Sequence, residues 1–202
     1  SMVAFSQLLK ESLPVVEKAE DQLHLDLIIE SGQKLGEMIQ GLLAFSRLNT
    51  VPRSRALVEL EIVVARCYMQ LQAQLDATKG HFNYPRMPEV MADAQQMHTV
   101  FFALLDNAIK YSRTAPEISI SLIQSNSSVI AEIKDNGIGI PADEQKRIFD
   151  RFYRVPTGDR HDVKGFGLGL SYVKSIVELH NGKAEVESKP GKGSIFRIIF
   201  KR

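Results

Sequence analysis

The stretch 128–141 constrains this chain more than any other. Val129-Ile130-Ala131-Glu132-Ile133-Lys134 alternates apolar and polar residues, the pattern of a half-buried strand. It runs into Asp135-Asn136-Gly137-Ile138-Gly139-Ile140-Pro141. Gly137 and Gly139 have no Cβ and tolerate positive φ, so the backbone can turn sharply there and touch a ligand. Asp135 sets a carboxylate at that turn, placed to accept from an amino group such as that of adenine. The same pattern equally describes a tight turn with an Asx cap.

A second glycine cluster, Gly165-Phe166-Gly167-Leu168-Gly169-Leu170, leads into a helical stripe formed by Leu170, Val173, Ile176, Val177 and His180. A glycine-rich loop entering a helix presents free N–H groups and the positive end of the dipole, which suits phosphate. The spacing is G-x-G-x-G, neither a Rossmann fingerprint nor a P-loop. A flexible loop closed by a helix fits the cluster equally well. The third segment spans 97–112, where Val100, Phe101, Leu104, Leu105, Ala108 and Ile109 make an apolar helical stripe. Asn107, Lys110 and Tyr111 stand at i, i+3 and i+4 and share a face. An amide oxygen, an ammonium and an aromatic ring there suit a metal, a phosphate and a base. They also suit an ordinary solvated helix end.

Together these segments resemble the ATP-binding domain of a bacterial sensor histidine kinase, within the gyrase/Hsp90/histidine kinase/MutL ATPase superfamily. Leu104-Leu105-Asp106-Asn107-Ala108-Ile109-Lys110-Tyr111 resembles the N box, and Asp135 to Pro141 the G1 box. Ile148-Phe149-Asp150-Arg151-Phe152-Tyr153-Arg154 resembles the F box, Gly165 to Leu170 the G2 box, and Gly191-Lys192-Gly193-Ser194-Ile195-Phe196 the closing G-x-G-T-x-F segment. The resemblance covers about residues 20–202. It implies that ATP and Mg²⁺ are the cofactors and that Asn107 is the Mg²⁺ ligand. Lys110 and Arg154 would approach the phosphates, Tyr111 would pack on adenine, and Asp135 would receive the adenine amino group. Gly137, Gly139, Ile140 and Ser194 also belong to the implied ATP site. Gly165, Phe166, Gly167, Leu168, Gly169 and Leu170 would hold its phosphate end beneath a mobile lid at about 155–164, whose last residue, Lys164, also belongs to the implied ATP site.

The chain departs from the family pattern at Ala103, four residues before Asn107, where many histidine kinases carry another Asn and hydrolysing relatives a Glu. Alanine cannot take a proton, so negligible intrinsic ATP hydrolysis is expected. Ser194 stands where Thr is usual and keeps the hydroxyl.

The 202 residues suffice for one or two domains with a sizeable core. The formal net charge of +1 gives no reason to expect nucleic acid or membrane contact. The single cysteine, Cys67, excludes an internal disulfide and fits a reducing compartment. Cys67 is expected to be a small core or surface residue. No apolar run is long enough to span a bilayer. A cytoplasmic location is therefore expected, whether or not a parent protein is membrane-anchored. Ser1-Met2 reads as an expression scar before an internal start.

A short helix is expected at 3–12, broken near Pro14, then a long helix from about 19 to 47. Ile28, Leu35 and Leu42 recur every seven residues, with Leu25, Met38, Ile39 and Phe45 beside them. Such a seam favours self-association into a bundle. The hairpin resembles the dimerisation and phosphoacceptor domain of the same kinases. Its first helix should carry the H box, but His24, His81, His98, His161 and His180 lack H-box neighbours and read as surface or loop. The chain is therefore expected to begin just after the H box.

Beyond a polar linker at 49–55, a strand is expected at 56–59, a helix at 60–77 and a strand at 81–84, with another strand beginning at Val90-Met91. Hairpins are expected from 117–124 with 128–135, and from 183–188 with 194–200. The fold class is α+β: an N-terminal helical hairpin, then a two-layer α/β sandwich with a mixed sheet covered on one face by helices. The domains are 1–49, dimerisation without the H box, and 50–202, ATP binding. The expected activity is protein-histidine kinase, passing the γ-phosphoryl to a missing histidine and on to a response regulator receiver domain. A homodimer is expected, and the chain alone should not autophosphorylate. The alternatives are a non-catalytic ATP-binding signalling module, or a hydrolysing ATPase or serine kinase of the superfamily.

Overall fold

The computed structural model describes residues 24–33, 35, 36, 39, 41, 43, 55–125, 127–156 and 166–201. The chain divides into two compact units, Ser1–Val51 and Pro52–Arg202. In the first unit, residues 24–33, 35, 36, 39, 41 and 43 are helical. Leu27, Ile28, Leu35, Ile39 and Leu43 are exposed along that helix. The short helix expected at 3–12, and the seam residues Met38, Leu42 and Phe45, lie outside the described residues.

The second unit runs β1 (Ala56–Glu59), α1 (Leu60–Ala77), β2 (His81–Asn83), β3 (Glu89–Ala92), α2 (Ala94–Lys110), β4 (Glu117–Gln124), β5 (Ser128–Lys134), α3 (Gly169–Leu179), β6 (Lys183–Ser188) and β7 (Ser194–Lys201). β1 and β3 form an antiparallel ribbon in which Val58 faces Val90. The other strands make a five-stranded sheet ordered β2-β4-β5-β7-β6. β2 is parallel to β4 and the remaining pairs are antiparallel, so the sheet is mixed.

Strand alternation decides which face is covered. Ile118 and Ile120 of β4, Val129, Ala131 and Ile133 of β5, and Phe196, Ile198 and Phe200 of β7 are buried. The opposite face carries Arg197, whose Nε donates to Glu132 Oε1 at 2.6 Å and whose Nη2 donates to Glu187 Oε2 at 2.9 Å. The helices bring matching stripes. α1 buries Val63, Val64, Cys67, Leu71 and Leu75, at spacings of three and four. α2 buries Met97, Val100, Phe101, Leu104, Leu105, Ala108 and Ile109. It starts three residues before its apolar stripe because Asp93 caps it, Oδ1 accepting the Gln96 N–H at 2.9 Å.

His180 corrects the reading of every histidine as surface or loop: it is buried at the end of α3. Its Nδ1 lies 2.8 Å from the Ile176 carbonyl oxygen, which can only accept, so Nδ1 carries the proton. Nε2 accepts the Asp93 N–H at 3.1 Å. One imidazole thus ties the end of α3 to the start of α2. His24 and His81 are exposed, and His98 is half-buried on α2; His161 lies outside the described residues.

Candidate functional site

Asp135 follows the last residue of β5 and is only 8% exposed. Its Oδ1 accepts the Gly137 N–H at 2.8 Å and the Ser194 N–H at 3.1 Å. Oδ2 accepts no hydrogen bond among the described residues. Burial raises the carboxyl above its ordinary value of 3.8, and the two N–H donors oppose that rise. The group is therefore a fixed acceptor with one oxygen committed to the backbone.

The glycines beside it are demanded by close approach. A Cβ on Gly139, at φ +71°, would lie 2.0 Å from the Lys189 carbonyl oxygen. A Cβ on Gly193, at φ +81°, would lie 2.0 Å from the Asp135 carbonyl oxygen. The G1 turn and the β6–β7 turn are thus pressed together, and the Gly191 N–H donates to the Ile138 carbonyl oxygen at 2.7 Å.

The end of α2 joins the same turn. The Ile138 N–H donates to the Tyr111 carbonyl oxygen at 2.9 Å. Tyr111, at the C-cap of α2, is thereby held against the Gly137 turn, with Asn107 and Lys110 on the last turn of the same helix. Lys110 Nζ pairs with Asp106 Oδ2 at 2.5 Å, one turn back. The half-buried Asn107 side chain makes no hydrogen bond among the described residues. Asn136, absent from the expected site set, anchors the next loop. Its Oδ1 accepts the Glu117 N–H at 2.9 Å and its Nδ2 donates to the Ala115 carbonyl oxygen at 3.0 Å.

The second glycine cluster meets this group from the other side. The Phe152 N–H donates to the Gly167 carbonyl oxygen at 3.1 Å, and Gly167 takes φ +70°. A Cβ on Gly169 would lie 3.8 Å from Ala103 Cβ, one helical turn before Asn107. α3 therefore begins over the site face of α2. Leu168, at its N-cap, makes no side-chain capping bond, and the first turn holds no acidic residue. Among the described residues no side-chain cap takes the first N–H groups of α3, a helix start that suits water or an anion. Phe166, Gly167 and Leu170 are half-buried and Leu168 is buried. Arg154 is half-buried just beyond Phe152-Tyr153. Lys164 and Gly165, with most of the expected lid, lie outside the described residues.

Ile140 takes a different part from its neighbours. Its N–H donates to Ser188 Oγ at 2.8 Å and its carbonyl oxygen accepts from Gln145 Nε2 at 3.0 Å. Its backbone is committed within the fold, leaving only its side chain for a ligand. Gln145 Nε2 also donates to the Ser188 carbonyl oxygen at 2.8 Å. Tyr153 Oη donates to Glu144, while the Arg147 guanidinium lies 4.2 Å over the Tyr153 ring. Ser188 and Gln145 carry no motif in the sequence, so only their long-range bonds reveal them.

Residues 92–202 match the family described as histidine kinase-, DNA gyrase B-, and HSP90-like ATPase. The sensor protein RprX of Bacteroides fragilis is 43% identical over 115 residues, covering 56% of this chain and 22% of RprX. The signal transduction histidine-protein kinase ArlS of Staphylococcus aureus is 40% identical over 112 residues, covering 55% of this chain and 25% of ArlS. The matched stretch therefore spans a quarter or less of these curated relatives. Among solved structures, a mycobacterial sensor histidine kinase, MprB, superposes with a TM-score of 0.64 at 25% identity, covering 73% of this chain and 97% of that one. The Acinetobacter baumannii histidine kinase AdeS gives a TM-score of 0.67 at 23% identity, covering 98% of this chain and 92% of its own, and so shares the fold. Full-length ShkA, solved in complex with AMPPNP, shares it too, with a TM-score of 0.72 at 21% identity, covering 98% of this chain and 42% of that one. The ordered boxes, the buried acid beside paired glycine turns and the family match agree: this chain belongs to the histidine kinase-, DNA gyrase B- and HSP90-like ATPases, with an ATP-binding domain of the histidine kinase type.

Proposed function

We propose that this chain binds ATP with Mg²⁺ and supplies the catalytic part of a sensor histidine kinase. The observation that carries the reading is Asp135: a buried carboxylate with Oδ1 held by two N–H groups and Oδ2 without a donor among the described residues. Such an oxygen suits the adenine amino group, and Tyr111 is at hand to pack on the ring. ShkA, of the same fold, is described in complex with an ATP analogue, AMPPNP. Lys110 and Arg154 are assigned to the phosphates, with the N–H groups at the start of α3. Lys164 and Gly165 are assigned to the same end from the sequence alone.

The residues present fit Mg²⁺. Among the described residues no group of three or more His, Cys, Asp or Glu could hold a metal. Mg²⁺ needs no such cage, because it keeps several waters and takes phosphate oxygens. Asn107, with its amide uncommitted, supplies the protein oxygen. The ion neutralises charge on the phosphates when bound. The chain's own part is positioning and electrostatics. A histidine nitrogen would attack the γ-phosphorus with its lone pair, the bond to the β,γ-bridging oxygen would break, and ADP would leave with that electron pair. That histidine is proposed to lie outside this chain, none of whose five has H-box neighbours. The phosphoryl group would then pass to a receiver-domain aspartate.

The two-domain division 1–49 and 50–202 is part of this proposal, with the first segment a dimerisation domain. The exposed row Leu27, Ile28, Leu35, Ile39 and Leu43 supports a homodimer through that segment. Among the described residues no helix is long and apolar enough to cross a membrane. We place the chain on the cytoplasmic side of any membrane its parent occupies.

Calorimetric titration with an ATP analogue and Mg²⁺, beside Asp135→Ala, tests the site. Saturable one-site binding that the variant loses is expected; no binding by the natural sequence overturns the reading. Labelled ATP should transfer to an added protein bearing the H-box helix but not to this chain alone. A second reading, ATP binding without phosphotransfer, is favoured by Ala103, which places a methyl near Gly169 and no polar group one turn before Asn107. It predicts no transfer even to the added helix.

A further inference from the structure

The segment 141–153 is held at both ends. From Pro141 to Asp150 it runs in successive turns. The Glu144 N–H donates to the Pro141 carbonyl oxygen at 3.0 Å, the Ile148 N–H to that of Glu144 at 3.1 Å and the Asp150 N–H to that of Arg147 at 2.8 Å. Gln145 fixes these turns to the first glycine turn, because its Nε2 donates to the carbonyl oxygens of Ile140 and Ser188.

At the other end the chain reverses at Phe152, whose φ is +62°. A left-handed backbone is unfavourable for a residue with a Cβ and persists only where its surroundings hold it. The Phe152 side chain is exposed and is no anchor. Two other holds are present. The Phe152 N–H donates to the Gly167 carbonyl oxygen at 3.1 Å. The Tyr153 side chain is tied back to the turns: its Oη donates to Glu144 Oε2, and the Arg147 guanidinium lies 4.2 Å from its ring centroid.

The backbone so held is pressed on the second glycine cluster. A Cβ on Gly167 would lie 2.5 Å from the Tyr153 carbonyl oxygen. Gly167 stands two residues before the start of α3, the proposed phosphate end. The base end is held separately, by the paired bonds of Asp135 and Ser194.

We propose that Tyr153 is a positioning residue for the phosphate end: braced by Glu144 and Arg147, it sets the Phe152–Tyr153 backbone against Gly167 and so fixes where the first N–H groups of α3 meet the phosphates of a nucleotide. The proposal rests on the reading of this site as a nucleotide site, and names the part of the ligand that the brace serves. Removing the Tyr153 hydroxyl deletes one hydrogen bond to a carboxylate, worth about tenfold in an equilibrium. That loss falls on ligands with phosphates and spares adenosine, which has none.

The test is displacement of a fluorescent ATP analogue by ATP with Mg²⁺ and by adenosine, from the natural sequence and its variants. Tyr153→Phe keeps the ring against Arg147 and removes only the hydroxyl. It is expected to bind ATP about tenfold more weakly, with adenosine unchanged. Glu144→Ala is expected to weaken ATP by the same factor, and the double variant no further, because both changes break one link. Glu144→Gln keeps an acceptor oxygen and is expected to recover most of the loss. An unchanged ATP affinity in Tyr153→Phe, or equal losses for ATP and adenosine, overturns the proposal and leaves the nucleotide reading standing. Losses that add in the double variant overturn it as well. Failure of the natural sequence to bind the analogue overturns the nucleotide reading and this one with it. If Tyr153→Phe does not fold, Glu144→Ala carries the same comparison of ATP with adenosine.

Discussion

Asp135 and Ser194 hold each other twice: the Asp135 N–H donates to the Ser194 carbonyl oxygen at 2.9 Å, and the Ser194 N–H donates back to Asp135 Oδ1 at 3.1 Å. The second bond needs an acceptor, not a charge. Asp135→Asn keeps that acceptor but turns an NH₂ towards any ligand. It is expected to fold and to lose at least tenfold in ATP affinity by calorimetry, because two donors then face each other.

The same substitution carries a pH signature. Burial holds the folded-state Asp135 carboxyl above 3.8, so between those values the folded chain binds the proton that the unfolded chain has released. The stability from this group is full below 3.8 and is lost as pH rises through the raised value. Asp135→Asn removes that loss. Its melting temperature at pH 7 should equal or exceed that of the natural sequence, with the gap closing towards pH 3.5. A variant far less stable at pH 7 than at pH 3.5, relative to the natural sequence, would contradict the sign.

The turn glycines separate backbone strain from crowding. Gly191 takes φ +76° with nothing within 4 Å of an added Cβ, so Gly191→Ala should cost only about 1–2 kcal/mol. Gly193→Ala adds a 2.0 Å collision with the Asp135 carbonyl oxygen and should cost about 3–5 kcal/mol. Urea titration of the two variants should rank them in that order.

Lys110 pairs with Asp106, but its side chain is 38% exposed and solvent screens the pair. Lys110→Ala should therefore change unfolding stability by less than about 1 kcal/mol. The assigned contact with phosphate predicts a larger effect on binding, about tenfold weaker for ATP and little change for adenosine. Equal losses for both ligands would remove Lys110 from the phosphate end.

Cys67 should be inert in the native state. Burial pushes its thiol up to about 12, and its Sγ lies 3.6 Å from the His98 carbonyl oxygen. Thiolate is the reactive form, so a thiol reagent at pH 8 should label Cys67 slowly and label the urea-unfolded chain quickly. Its raised value leaves stability untouched near pH 7 and draws it down only as pH rises from 9 towards 12.

Most elements were legible because each follows from a period in its own residues. The alternation in Ser128–Lys134, the three-and-four spacing in Leu60–Ala77 and the split halves of the β6–β7 hairpin are local facts. The start of α2 was not, because the Asp93 cap adds a turn outside the apolar stripe. His180 was misread because its neighbours in sequence do not reveal the Asp93 N–H that satisfies its second nitrogen.

The chemistry of the candidate site divides the same way. Sequence alone determined that a carboxylate would stand at a glycine turn, and that an amide, an ammonium and a ring would share the end of one helix, because those depend on spacing and residue type. Tertiary structure alone decided which oxygen of Asp135 is committed, that the backbone of Ile140 is engaged, and that the Ser188 and Ser194 hydroxyls meet. Those are settled by hydrogen bonds joining residues 48 and 59 positions apart in the chain, and by the register that sets Ser188 opposite Ser194.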